Sequence, residues 1–99
     1  MKPLRVTHPG KILLEEFIRP LGLSVNRTAK ATGIPQPTLA QIVHGRRPIS
    51  VEHALRLGLY FSIDAEFWVN LQAHYDLREA RRARAAALVR VVHPLARAA

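Results

Sequence analysis

The stretch Ser24 to Gly45, SVNRTAKATGIPQPTLAQIVHG, constrains this chain more than any other. Ser24 is a natural N-cap, because its hydroxyl can accept an early backbone N–H of a helix. Gly33 supplies the left-handed residue that ends that helix near Thr32. Ile34 and Pro35 carry the chain through a tight turn. A second short helix starts at Gln36 or Pro37, where proline is tolerated in the first turn, and stops at Gly45. Ala29, four residues before Gly33, is small enough for two helices to cross closely. Leu39 and Ile42 share one face of the second helix, and Gln36, Thr38, Gln41 and His44 share the other. Glycine, small residue and apolar pair at these offsets make a helix-turn-helix, with the polar face free for a ligand.

Charge favours a polyanionic ligand. Fifteen Lys and Arg oppose seven Asp and Glu, for a net charge of +8 in 99 residues. Such a balance suits nucleic acid. No segment has the length and apolarity of a membrane span, and no basic amphipathic helix has a wide apolar face, so no membrane partner is expected. Without cysteine there is no disulfide framework and no thiolate metal site. The N-terminus lacks the apolar core of a signal peptide, so the protein is expected in the cytoplasm.

The rest of the chain arranges itself around the motif. Residues 1–8 are expected to form an arm, in which Leu4 and Val6 alternate with polar residues, with Lys2 and Arg5 basic. Pro9 to Arg19 reads as a first helix, with Leu13, Leu14, Phe17, Ile18 and then Leu21 as its apolar stripe. Thr28 and Thr32 stand where aliphatic residues would pack better, and each can bond a carbonyl one turn back. Arg46 and Arg47 follow the second motif helix directly and are placed for phosphates beside the groove. Ser50 caps a fourth helix, whose Val51, Ala54, Leu55, Gly58, Leu59 and Phe61 are expected to close the core. Gly58 marks a close crossing. Asp64 is expected to cap a fifth helix, from Ala65 to about Ala83 or beyond. Phe67 reads as core. Trp68, Leu71 and Tyr75 read as a stripe extending into a homodimer face. Residues 84–99 are expected to be a basic Ala/Arg-rich tail, with Leu88 to Val92 a short strand or extended segment. Pairing across the two-fold would then use Trp68, Leu71, Tyr75, Leu88, Val89 and Val91. The domain proper is expected over 9–83.

Chemistry for catalysis is missing. There is no phosphate-cradling glycine loop, no HExxH pair and no GxSxG elbow. No enzyme activity, cofactor or metal is expected.

The order of helices makes an all-α, five-helix domain that resembles the lambda-repressor/Cro-like helix-turn-helix family. Three segments, HPGKILLEEF at 8–17, GRRPIS at 45–50 and FWVNLQAHYDL at 67–77, resemble the HigA-type antitoxins within it. The resemblance covers residues 7 to 80. It implies a homodimeric antitoxin that represses its own operon by binding operator DNA and neutralises a cognate ribonuclease toxin of RelE-like fold. It places base readout on Gln36, Pro37, Thr38 and Gln41, and DNA-backbone contacts on Asn26, His44, Arg46 and Arg47. Pro37 departs from the polar residue often found there and removes one candidate base contact. The alternatives are a stand-alone repressor without a toxin, and a toxin-binding module with little DNA activity.

Overall fold

The computed structural model of the chain describes residues 7–96. The arm residues Lys2, Leu4, Arg5 and Val6 lie outside the described residues, as do 97–99. Five helices follow one another, and no strand occurs among the described residues.

Helix α1 begins as an α-helix over Pro9–Ile12 and continues, π-wound, through Leu13–Ile18. The expected stripe buries Leu13 and Ile18 fully and half-buries Leu14 and Phe17. Leu21 is exposed, because the helix ends at Ile18 and the turn that follows carries it outward. Helix α2 (Val25–Thr32) is capped by Ser24, whose Oγ accepts the Arg27 N–H at 3.0 Å. It ends on Gly33 at φ 75°, in the left-handed region. The two threonines do what their hydroxyls allow. Thr28 Oγ1 donates to the Ser24 carbonyl at 2.9 Å, and Thr32 Oγ1 donates to that of Thr28 at 2.8 Å. Both are buried with their polar atoms satisfied.

Helix α3 (Gln36–Val43) starts after Pro35 and gives way to a turn at His44 and Gly45. Helix α4 (Val51–Phe61) opens with a reciprocal cap, in which Ser50 Oγ accepts the His53 N–H and His53 Nδ1 accepts the Ser50 N–H. It does not close the core as widely as expected. Ala54, Leu57 and Gly58 face inward, while Val51, Leu55 and Leu59 are exposed, Leu59 by 84%. The helix is apolar on more of its circumference than the core can cover. The close approach at Gly58 is real: a Cβ there would lie 2.7 Å from the Ile63 carbonyl oxygen, where the chain turns back over α4.

Helix α5 (Ala65–Val91) corrects three expectations. Asp64 precedes it, but its side chain makes no capping bond. The helix runs on past Ala83 to Val91, so 84–91 is part of it and no separate tail. Nor is 88–92 a strand: Val92 N–H still donates to the Leu88 carbonyl at 2.8 Å. A lone strand would leave its backbone groups unpaired within the chain, whereas a helix pairs its own. The Ala- and Arg-rich run before it is strongly helical, and a few valines cost only tenths of a kcal/mol each, up to about 0.7. The helix projects from the bundle. The radius of gyration is 17.1 Å, against about 13 Å for a compact chain of this length.

The core is Leu13, Ile18, Ala29, Ile34, Leu39, Ile42, Val43, Ile49, Ala54 and Leu57, closed by Trp68. Trp68 is wholly buried, and so is not part of an exposed dimer stripe. Its ring packs 4.9 Å from Phe17 and 5.0 Å from Phe67. The roles expected of the two neighbours are exchanged: Phe67 is the more exposed ring. One turn of helix places only one of two adjacent residues against the core, and the register falls on Trp68 and Gln72.

Candidate nucleic-acid interface

Helices α2 and α3 meet at the Gly33–Ile34–Pro35 turn. Ala29, Ile34, Leu39 and Ile42 are buried there, which commits one face of α3 to the core. The opposite face stands free. Gln36, Pro37, Gln41 and His44 are exposed and Thr38 is half-buried. Asn26 is exposed too, and it lines a shallow groove with Lys30, Gly33 and Gln36. The structure therefore brings Asn26 and Gln36 to one surface. Arg46, Arg47 and Gly45 line a second groove with His8, Tyr75 and Asp76.

Electrostatics leaves this surface uncompensated. The ion pairs among the described residues are Glu15–Arg19, Glu52–Arg56 and Glu79–Arg82. Arg46 and Arg47 have no carboxylate partner among them. Arg47 instead donates its Nε–H to Gln41 Oε1 at 2.9 Å. His44 Nδ1 lies 2.7 Å from the Ala40 carbonyl and must donate to it, since a carbonyl only accepts. Only Nε2 of His44 can then meet DNA, and it donates to a phosphate only as imidazolium.

Three residues that sequence reasoning missed hold the α2–α3 motif and the loop after it in place. At Gly10, α1 touches α3 so closely that a Cβ would overlap the Ile42 carbonyl. The signal was a glycine in the first turn of an otherwise good helix. Arg56 Nη1 donates to the Thr32 carbonyl at 2.9 Å, closing the free end of α2. Gln72, buried on α5, accepts the Ile49 N–H at 2.8 Å and donates to Asp76 at 2.9 Å. Gln72 lies one turn beyond Trp68, so a polar residue on the inward face of α5 was its signal.

Two histidines sit at helix starts as acceptors. His8 Nδ1 accepts the Gly10 N–H at 2.9 Å, and its ring packs edge-on to Tyr75 at 4.9 Å. Burial lowers the His8 pKa below the usual histidine value, against the opposing pull of Asp76. Burial likewise lowers that of His53, aided by Arg47 and Arg56 and opposed by Glu52.

The expected pairing residues are not brought together as one face. Trp68 is in the core, Leu71 is half-buried against it, and Tyr75 is half-buried beside His8. Leu88, Val89 and Val91 are exposed on distal α5, well beyond them along the helix.

The sequence profile of the helix-turn-helix family matches residues 14–68, the span from α1 to the first turn of α5. The chain belongs to the helix-turn-helix family. It is similar to virulence-associated protein I of Dichelobacter nodosus, 44% identical over 75 residues that span 76% of this chain and 69% of that one. Among solved structures it is similar to the Pseudomonas aeruginosa antitoxin HigA with the higBA promoter. That match has a TM-score of 0.90 at 39% identity, over 93% of this chain and 100% of the other. It is similar also to antitoxin GraA in complex with its operator, with a TM-score of 0.88 at 36% identity over 98% of both chains. The resemblance to HigA-type antitoxins drawn from three short segments is borne out. It also reaches further, since 93% of the chain cannot be matched without much of α5 beyond residue 80. No helix of the described residues is long and apolar enough to cross a membrane.

Proposed function

We propose that this chain is the antitoxin of a type II toxin–antitoxin pair, a cytoplasmic homodimer that represses its own operon and neutralises a ribonuclease toxin of RelE-like fold. One observation carries the DNA half. The exposed amides of α3 stand beside two arginines without carboxylate partners, on a fold that matches HigA with its promoter at a TM-score of 0.90. In this reading Gln36, Thr38 and Gln41 read base edges in the major groove, where a glutamine amide can bond adenine at two points. Pro37 offers no donor and sets the start of the helix. Asn26, His44, Arg46 and Arg47 hold the DNA backbone.

The dimer is assigned to distal α5, where Leu88, Val89 and Val91 are exposed, with Leu71 and Tyr75 at the base of the same helix. A single recognition helix covers few base pairs. Two-fold pairing doubles the contact and sets half-sites about 34–36 Å apart, or a multiple of that. The toxin then docks away from 36–47.

The test is binding to the DNA upstream of the chain's own gene. Gln36→Ala and Gln41→Ala should each weaken operator binding while leaving nonspecific binding almost unchanged. Arg46→Ala should weaken binding to all sequences and reduce the log–log salt slope by about 0.9. Neutralisation of the toxin encoded beside it should survive both glutamine replacements. Equal operator binding by both glutamine variants and the parent would remove α3 as the reader.

A further inference from the structure

We propose that Arg47 is a positioning residue for Gln41: by holding Gln41 Oε1 it fixes which end of the amide faces the DNA, and so which bases α3 accepts there. The inference rests on the DNA-binding reading of α3 and adds a source of specificity to it.

A glutamine amide has two unlike ends, an oxygen that only accepts and an NH2 that only donates. On an exposed helix face, rotation about its last bond presents either end. Gln41 is exposed, yet it is held twice by consecutive residues of the loop that follows. The Arg46 backbone N–H donates to the Gln41 backbone carbonyl at 2.8 Å. The Arg47 Nε–H donates to the Gln41 side-chain oxygen at 2.9 Å. The turn at Gly45, with φ 75°, brings the loop back far enough for both bonds. The oxygen of Gln41 is thereby turned toward the loop, and its NH2 group is left without a protein partner among the described hydrogen bonds.

This arrangement costs Arg47 little of its capacity for DNA. A guanidinium has five N–H groups in a rigid fork, and the bond to Gln41 uses one. The two terminal nitrogens remain available for a phosphate. One side chain thus links a backbone contact to a base contact.

The chemistry of the groove gives the consequence. An outward NH2 favours bases that present acceptors on the major-groove edge: N7 of either purine, O6 of guanine, O4 of thymine. Cytosine presents only its N4 donor and is rejected at that position. Without Arg47 the amide turns freely, and the donor of cytosine becomes acceptable.

The experiment begins with binding-site selection by the full-length parent from a pool of random duplex DNA. The position whose preference is lost in Gln41→Ala marks the base pair read by that residue. Affinities for all four base pairs there are then measured for the parent, Arg47→Ala, Arg47→Lys, Arg46→Ala and the Gln41→Ala/Arg47→Ala pair. The parent should prefer an acceptor-bearing base over cytosine by on the order of tenfold. In Arg47→Ala and Arg47→Lys that ratio should fall to about threefold or less, with preferences at other positions kept. The double variant should show no further loss at that position than Gln41→Ala alone. Arg46→Ala should weaken all sequences alike and keep the ratio. Cytosine preferred by the parent, or an unchanged ratio in either Arg47 variant, would overturn the proposal while leaving α3 as the reader. Unchanged selectivity in both Gln36→Ala and Gln41→Ala would instead remove α3 as the reader, the reading on which the proposal rests.

Discussion

Replacing Gln72 by leucine tests whether one buried amide holds the Arg46–Arg47 loop to the body of the fold. Gln72 Oε1 accepts the Ile49 N–H at 2.8 Å, and both residues are buried. Leucine has nearly the same volume, so the change removes the acceptor without opening a large cavity. The Ile49 N–H is then left without a partner in a place water does not reach. An unsatisfied buried donor costs about 1–3 kcal/mol. The other bond of Gln72, to Asp76, is lost at an exposed carboxylate that water can serve, and adds little. The expected destabilisation is therefore about 2 kcal/mol, which in a domain this small lowers Tm by roughly 8–16 °C. Urea unfolding measures it directly, since the midpoint should move without a change in slope. Ile49 ends the Arg46–Arg47 loop, so operator affinity in Gln72→Leu should also fall by more than the unfolded fraction explains. A loss under about 0.5 kcal/mol would refute the reasoning, because at that level the N–H has found water or another acceptor.

Gly10→Ala should cost about 1–3 kcal/mol and weaken operator binding, because the new methyl overlaps the Ile42 carbonyl and pushes α1 off α3; thermal unfolding and a binding titration check the two effects. Trp68→Ala should cost about 3–5 kcal/mol by emptying the core, and Trp68→Phe clearly less. Sedimentation of the folded Phe variant should match the parent, since Trp68 is not at the surface. Stability should fall on acidification. His8 and His53 have folded pKa values below 6.5 because burial disfavours their charged forms, so the native state binds fewer protons than the unfolded chain. Their contribution is complete above about pH 6.5 and is lost as pH falls through that value toward the depressed ones. Tm measured from pH 7.5 to 5.5 should drop less in His8→Asn/His53→Glu, whose side chains still accept the same N–H groups.

The motif was legible because each of its signals is local. Ser24 caps, Gly33 turns left-handed and Leu39 and Ile42 go inward through interactions within a few residues of each one, so spacing alone placed them. The contacts that hold the motif on the domain were not legible, because their partners are remote in sequence: Arg56 with Thr32, Gln72 with Ile49, Gly10 with Ile42. A glutamine or glycine carries no mark in the chain of what it will touch. The apolar residues of the last third were misassigned for a related reason. Periodicity showed that α5 has an apolar face but not which of Phe67 and Trp68 heads it. That choice is made by Phe17 and Phe61, which wall the site where Trp68 lies. The valines near the end were read from their β-branched composition, which has force only where a second strand is at hand. Among the described residues none is, so the helix begun at Ala65 continues through them to Val91. From residue 80 onward every described side chain is exposed, among them Leu88, Val89, Val91, Val92 and Leu95. A helix of this composition standing free in water would fray at its end unless packed. Distal α5 is thus the element that gains most from a packing partner, which is why the proposed dimer is placed there rather than on the aromatic stripe, whose Trp68 the core has already used.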